Sequence, residues 1–286
     1  MTFQVNRVAV VGAGTMGAGI AQAAATAGWA THLTDVRPEV VAGALGAIGR
    51  HLDGAVSRGK MTGEAQAAVR SRIHPASSIA EACRNADLVI EAVIEEIDIK
   101  KAVLSEAARV IGEGALLATN TSSLPVSRLA EGLPRPTRFL GLHFFNPVHI
   151  MKLVEIVVHP GTDDRARGDA LAVVQAMGKE PIVVKDSPGF ASSRLGVVLG
   201  LEAMRMLEQG VASAADIDRA MELGYNHPMG PLRLTDLVGL DVRLRIAEHL
   251  HRTLGEPQYE PPAILRRMVA EGRLGKKTGE GFYRWE

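Results

Sequence analysis

Cysteine is nearly absent: Cys83 is the one cysteine among 286 residues, so an internal disulfide is excluded and a reducing, cytoplasmic setting is expected. Aromatic residues make up only 4% of the chain, too few for the stacking platforms that hold single-stranded nucleic acid. Neither sign of charge is in excess. Thirty-two Lys and Arg balance 32 Asp and Glu, which argues against a general nucleic-acid binder and against an acidic disordered chain. Charge is missing altogether from Val8 to Thr31. A stretch of that length suits a bilayer span or the apolar part of a signal peptide. Gly12, Gly14, Gly17, Gly19 and Gly28 interrupt it, however, and Ala, Thr and Gln dilute it. A strand, a glycine turn and a buried helix fit it better, and no membrane partner is expected. The nine histidines include no pair at metal-ligand spacing, so no metal is expected either.

What is present is the composition of a globular protein with a core, 47% apolar and 22% charged. Short apolar runs alternate with helical patterns through the first two-thirds. Strands are expected at 7–11, 29–34, 87–93, 115–119, 139–143, 153–158 and 181–185. Helices are expected at 16–27, from Pro38 onward, at 64–72, 98–110 and 163–177. In the Pro38 helix Val41, Leu45, Ile48, Leu52 and Val56 form one apolar stripe. Such alternation predicts an α/β fold, a Rossmann-type doubly wound parallel sheet with helices on both faces. After Asp186 the pattern turns helical, with single helices expected over 190–209, 214–223, 232–253 and 262–271. The division is therefore 1–186 for a nucleotide-binding domain, with a helical arm near 38–72, and 187–286 for an all-α domain.

Gly12-Ala13-Gly14-Thr15-Met16-Gly17 matches G-x-G-x-x-G between a strand and a helix. The first glycine permits a tight turn, the second lets a pyrophosphate approach the backbone, and the third allows close packing of helix on strand. The phosphate then meets the positive end of the helix dipole. Asp35 closes the next strand, 18 residues past Gly17. A carboxylate there accepts hydrogen bonds from an adenosine ribose diol and repels a 2′-phosphate, which favours NAD over NADP, although Arg37 lies close by.

Three further segments carry a specific likeness: Asn120-Thr121-Ser122-Ser123-Leu124, Gly141-Leu142-His143-Phe144-Phe145-Asn146-Pro147-Val148, and Met151-Lys152-Leu153-Val154-Glu155-Ile156-Val157. With the glycine turn and Gly275-Lys276-Lys277-Thr278-Gly279-Glu280-Gly281-Phe282-Tyr283, they resemble the 3-hydroxyacyl-CoA dehydrogenase family, most of all its stand-alone bacterial 3-hydroxybutyryl-CoA dehydrogenases. The likeness runs from about residue 6 to the C-terminus. It implies NAD-dependent interconversion of a short-chain L-3-hydroxyacyl-CoA and the 3-oxoacyl-CoA. It also implies a homodimer formed through the C-terminal domain.

The chemistry can be argued beside the likeness. Oxidising a secondary alcohol removes a hydride from carbon and a proton from oxygen, so a base is needed at the hydroxyl, and histidine is tuned for that near neutral pH. His143 ends a predicted strand, at the edge where such sheets bind ligands. Glu155 lies twelve residues on, in the next strand, and would be costly to bury without a partner. The resemblance makes His143 the general base and Glu155 its partner. By resemblance too, Ser122 contacts the reacting oxygen or the cofactor and Asn146 lies near the nicotinamide and the substrate carbonyl; each is a neutral donor. Glu95, Lys100 and Lys277 match family positions near the cofactor. Many relatives have Asn where this chain has Ser193, a shorter side chain kept here as a candidate substrate contact.

Arg50, Arg58, Lys60, Arg70 and Arg72 against Asp53 and Glu64 give the arm a local positive excess, a plausible docking surface for the phosphates of an acyl-CoA. Two other readings fit the same residues. One is a related dehydrogenase of a free hydroxy acid or sugar acid, and the other is a non-catalytic NAD-binding relative. Intact His143 and Glu155 argue against the second. Cys83, with no matched base, is expected to be an inert thiol.

Overall fold

The computed structural model describes residues 3–286, which divide into two compact units, one ending at Ser187 and the other beginning at Pro188. Eight strands belong to the first: β1 (Arg7–Val11), β2 (Ala30–Thr34), β3 (Ile73–Pro75), β4 (Leu88–Glu91), β5 (Leu116–Thr119), β6 (Phe139–Phe144), β7 (Leu153–Val158) and β8 (Glu180–Lys185). They form one sheet in the order β3-β2-β1-β4-β5-β6-β7-β8. The strand order reverses between β1 and β4, which is where open α/β sheets bind their ligands. The unit's helices are α1 (Thr15–Thr26), α2 (Pro38–Ser57), α3 (Gly63–Ser71), α4 (Ile79–Cys83), α5 (Ile97–Val110), α6 (Val126–Ala130) and α7 (Asp164–Ala176).

Strands β4, β5 and β6 are buried along their whole length, as expected of strands covered on both faces. Val8, Val10, Leu88, Ile90, Leu116, Ala118, Leu140 and Leu142 share one core with Ile20 and Ala24 of α1 and with Val41, Ile48 and Leu52 of α2. Leu45 and Val56, expected in the same stripe as Val41, are only half-buried. The sheet is not wholly parallel. β6 and β7 run antiparallel, and β8 returns parallel to β7. Only eight residues separate Phe144 from Leu153, too few for the helical crossover that a parallel neighbour needs. That reversal sets His143 directly opposite Glu155 in the ladder. β8 closes the sheet as an exposed edge, which tolerates Pro181.

The second unit holds α8 (Ser192–Glu208), α9 (Ala214–Gly224), α10 (Pro231–Val238), α11 (Leu240–Leu254) and α12 (Ala263–Ala270) around Val197, Leu201, Met204, Leu232, Leu250 and Leu265. The single helix expected over 232–253 is two helices. Gly239, at φ 103°, breaks the run, and no apolar periodicity could reveal that. The helix expected from Phe190 begins instead at Ser192, because Phe190 itself lies at φ 48°. The C-terminal segment is strapped onto α10. Asp236, 1% exposed, accepts hydrogen bonds from the Phe282 and Tyr283 amides at 2.8 Å each and from the Trp285 indole at 2.9 Å. A Cβ on Gly281 would fall 2.1 Å from that carboxylate, so the Gly-Glu-Gly-Phe-Tyr run has a structural reason to be as it is.

Burial holds three histidines below their ordinary value of 6.5: His32, where Arg7 and His74 add to it, His149, where His51, Lys179 and Arg58 add to it, and His249, where Arg252 does. A lowered folded value means that the unfolded chain binds protons first. Their stability contribution is therefore complete above about pH 6.5 and is lost as pH falls through the folded values. Thermal melts at decreasing pH should show the melting temperature dropping below about pH 6.5, and His149→Gln should remove part of that drop. Cys83 is buried, which pushes its thiol up to about 12; it is inert for that reason.

Candidate active site

The glycine turn follows β1. Gly12 takes φ 102°, and a Cβ there would lie 2.5 Å from the Ala92 carbonyl oxygen; at Gly17 it would lie 1.7 Å from the Gly12 oxygen. Neither position admits a side chain. Gly14 differs, since a Cβ would meet nothing within 4 Å, so the space over the start of α1 is open. No side chain caps α1 and its first turn, Thr15 and Met16 included, has no acidic residue. Its N–H groups are thus left for an external anion. Asp35 Oδ2 accepts from the Ala13 amide at 2.9 Å and Oδ1 from the Arg37 amide at 3.1 Å. The carboxylate is thereby fixed beside the turn.

A cavity of about 740 Å³ opens from this turn, lined by Gly12, Gly14, Asp35, Val36, Ile94 and Ile99 among others. Val36 is 91% exposed, Ile94 59% and Ile99 39%, apolar surface that a flat aromatic base would cover. An uncapped helix start, an oriented carboxylate and apolar walls suit a dinucleotide.

Beyond the switch point, Glu91 ends β4 and Lys100 stands in the first turn of α5, both buried. Lys100 Nζ lies 2.7 Å from Glu91 Oε1 and 3.3 Å from Glu95 Oε2. Glu95 Oε1 accepts from the Thr121 hydroxyl at 2.6 Å, the Ser122 amide at 2.8 Å, the Ser123 amide at 3.0 Å and, more weakly, the Ser122 hydroxyl at 3.3 Å. Burial alone would raise the Glu95 carboxyl, but the Lys100 ammonium, the Thr121 hydroxyl and the Ser122 amide outweigh it and hold it below the usual carboxylate range. Glu95 and Lys100 thus meet Ser122, more than twenty residues on, at the ends of β4 and β5.

His143 and Glu155 meet as the antiparallel register dictates. Glu155 Oε2 lies 2.7 Å from His143 Nδ1, with Glu155 fully buried and His143 6% exposed. A carboxylate only accepts, so Nδ1 carries the proton and exchange with a ligand is directed to Nε2. The Phe145 ring packs on the imidazole at 4.5 Å between centroids. Asn120 Oδ1 accepts from the Phe144 amide at 2.9 Å, tying the ends of β5 and β6 together. Asn146 is exposed just past β6. The loop after it is held by Lys179, whose ammonium donates to the Met151 carbonyl at 2.8 Å and to that of Val148. His149 of this loop stacks on His51 of α2, 4.6 Å between centroids.

Two expected site residues lie in the second unit. Ser193 is in the first turn of α8 and half-buried, and exposed Lys277 pairs with Asp241. On the arm, Arg70 is neutralised by Asp53 at 2.8 Å, and Arg72 donates to the Ala25 carbonyl at 3.3 Å. Arg50, Arg58 and Lys60 have no ion pair among the described residues. Sequence reasoning missed Glu91, Asn120, Thr121 and Lys179. For Glu91 a signal existed: a carboxylate inside an apolar run needs a buried partner, the same inference that singled out Glu155.

The fold and site are those of an NAD-binding oxidoreductase with an attached helical domain. The model of the 3-hydroxyacyl-CoA dehydrogenase NAD binding domain matches residues 7–187, and that of the family's C-terminal domain matches residues 189–285. The chain belongs to the 3-hydroxyacyl-CoA dehydrogenase family. A probable 3-hydroxybutyryl-CoA dehydrogenase of Bacillus subtilis is 41% identical over 284 residues, 99% of either chain. The human mitochondrial hydroxyacyl-coenzyme A dehydrogenase is 39% identical over 99% of this chain and 92% of its own. Among solved structures, the (S)-3-hydroxybutyryl-CoA dehydrogenase of Ralstonia eutropha superposes with a TM-score of 0.94 at 39% identity, covering 99% of this chain and 100% of that one.

Proposed function

We propose that this protein catalyses the NAD-dependent oxidation of a short-chain L-3-hydroxyacyl-CoA, such as 3-hydroxybutyryl-CoA, to the 3-oxoacyl-CoA, and the reverse. The observation that carries this reading is the buried His143–Glu155 pair at the ligand-binding edge of a dinucleotide-binding sheet. NAD supplies the hydride acceptor. His143 Nε2 takes the hydroxyl proton as the C–H bond breaks and returns it in reduction, and Glu155 holds the tautomer and stabilises the imidazolium. Ser122 and Asn146 donate hydrogen bonds to the reacting oxygen and the substrate carbonyl, polarising them without competing for the proton. The turn from Gly12 to Gly17 and Asp35 hold the adenosine half of the cofactor, and Glu95, Lys100 and Lys277 act toward its other half. Ser193 reaches the substrate less far than an Asn would. The cations Arg50, Arg58 and Lys60 offer the phosphates of CoA a docking surface.

The second unit exposes Leu195 at 73%, Leu223 at 73% and Tyr225 at 75%, apolar surface that suits a homodimer. No helix among the described residues is long and apolar enough to cross a membrane, and a lone buried thiol suits the cytoplasm. The test is to supply L-3-hydroxybutyryl-CoA with NAD. NADH and acetoacetyl-CoA should form in equal amounts, and the D-thioester should give none. Failure with every short-chain thioester would overturn the reading.

A further inference from the structure

The cluster at the ends of β4 and β5 holds two carboxylates for one ammonium. Glu91 is fully buried, and each of its oxygens only accepts. Oε1 receives the Lys100 ammonium and the Val93 amide, each at 2.7 Å, and Oε2 receives the Thr119 hydroxyl at 2.6 Å. Oε1 thus faces two donors, one of them an ammonium, and Glu91 forms an ion pair with Lys100. Glu95 pairs with the same ammonium at 3.3 Å, and its carboxyl is held below the usual range. No other cation is paired with either carboxylate among the described residues, and the cluster is net −1.

The buried Lys100 needs one counter-ion, and the cluster supplies two. Glu91 is its buried partner at 2.7 Å, and Glu95, at 3.3 Å, also gathers the Thr121–Ser123 loop. Either pair alone is neutral, while a neutral acceptor at Glu91 would still satisfy Val93 and Thr119. What Glu91 adds is one negative charge. It adds it in the second mononucleotide half of the sheet, next to Ala92 and Val93, which back onto Gly12, and beside the Glu95 and Lys100 proposed above to act toward the other half of the cofactor. The reacting ring of a nicotinamide cofactor is a cation when oxidised and neutral when reduced, so the two forms differ there by one unit of charge.

We propose that Glu91, without touching the cofactor, is a redox-state specificity determinant: it makes the Glu91–Lys100–Glu95 cluster net negative and so favours the oxidised dinucleotide over the reduced one. This rests on the NAD reading above and adds to it which redox form the site prefers and why. Glu91→Gln is close to isosteric and removes the charge alone. The test is equilibrium titration of purified wild-type and variant protein with NAD and, separately, with NADH, followed by calorimetry. The variant should lose about three- to tenfold in NAD affinity relative to NADH, a ratio that a merely structural defect would not move. An unchanged ratio in a folded variant would overturn the proposal. If Glu91→Gln does not fold, Glu95→Gln, which removes a unit charge from the same cluster, is compared with Glu95→Asp, which keeps it: a lowered ratio in Glu95→Gln alone supports the proposal, and an equal change in both overturns it. Wild-type protein that binds neither form would refute the cofactor reading itself, and this proposal with it.

Discussion

Changing His143 to glutamine should lower kcat for acetoacetyl-CoA reduction by about 10²- to 10⁴-fold while leaving NADH affinity essentially unchanged. The reason lies in the ladder. His143 faces Glu155 across the antiparallel β6–β7 pair, and the carboxylate at 2.7 Å commits Nδ1 to donation. Glutamine preserves a donor for Glu155, so the buried carboxylate is not abandoned, but it has no nitrogen that can gain and lose a proton near neutral pH. Steady-state kinetics together with NADH titration separates this from misfolding. Glu155→Gln should have a loss of similar order, because an amide oxygen still accepts but its NH₂ can also face the ring and invite the wrong tautomer. The two losses should not add, since both remove one proton relay.

The second large effect concerns the cofactor's 2′ position. Turnover with NADPH should fall below that with NADH by about 10²-fold in kcat/KM, because a phosphate placed against the Asp35 carboxylate meets a like charge that cannot move away. Its oxygens are pinned by the Ala13 and Arg37 amides. Asp35→Ser should narrow the gap, with Arg37 then available to the phosphate. It should also raise KM for NADH, since serine cannot hold both amides. Equal use of the two cofactors by the wild type would contradict the assignment.

Much of this was legible in the sequence for physical reasons. Gly12 and Gly17 stand where no side chain fits, and a pattern of glycines records that constraint directly. Glu155 announced itself as a charge in an apolar strand. The antiparallel turn between β6 and β7 was not foreseen, although the short interval between those strands contained it. Gly239 could not be told from other helix glycines, because the φ that splits α10 from α11 depends on tertiary packing. The arm's positive excess was legible, but which cations carry it was not: Arg70 pairs with Asp53, while Arg50, Arg58 and Lys60 have no ion pair among the described residues. The C-terminal Gly-Glu-Gly-Phe-Tyr run resembled a functional motif, and Asp236 gives it a role in folding. Glu91 carries the same signal as Glu155, a charge inside an apolar strand, and its partner Lys100 comes from the helix that follows.

Reduction of 3-oxoacyl thioesters with NADH through His143 is tested most directly by comparing kcat/KM for acetoacetyl-CoA and for free acetoacetate, with NADH, in wild-type protein and in His143→Gln. The expected result is a strong preference of the wild type for the thioester and a collapse of thioester turnover in the variant. Equal turnover of the free acid, or a variant as fast as the wild type, would contradict it.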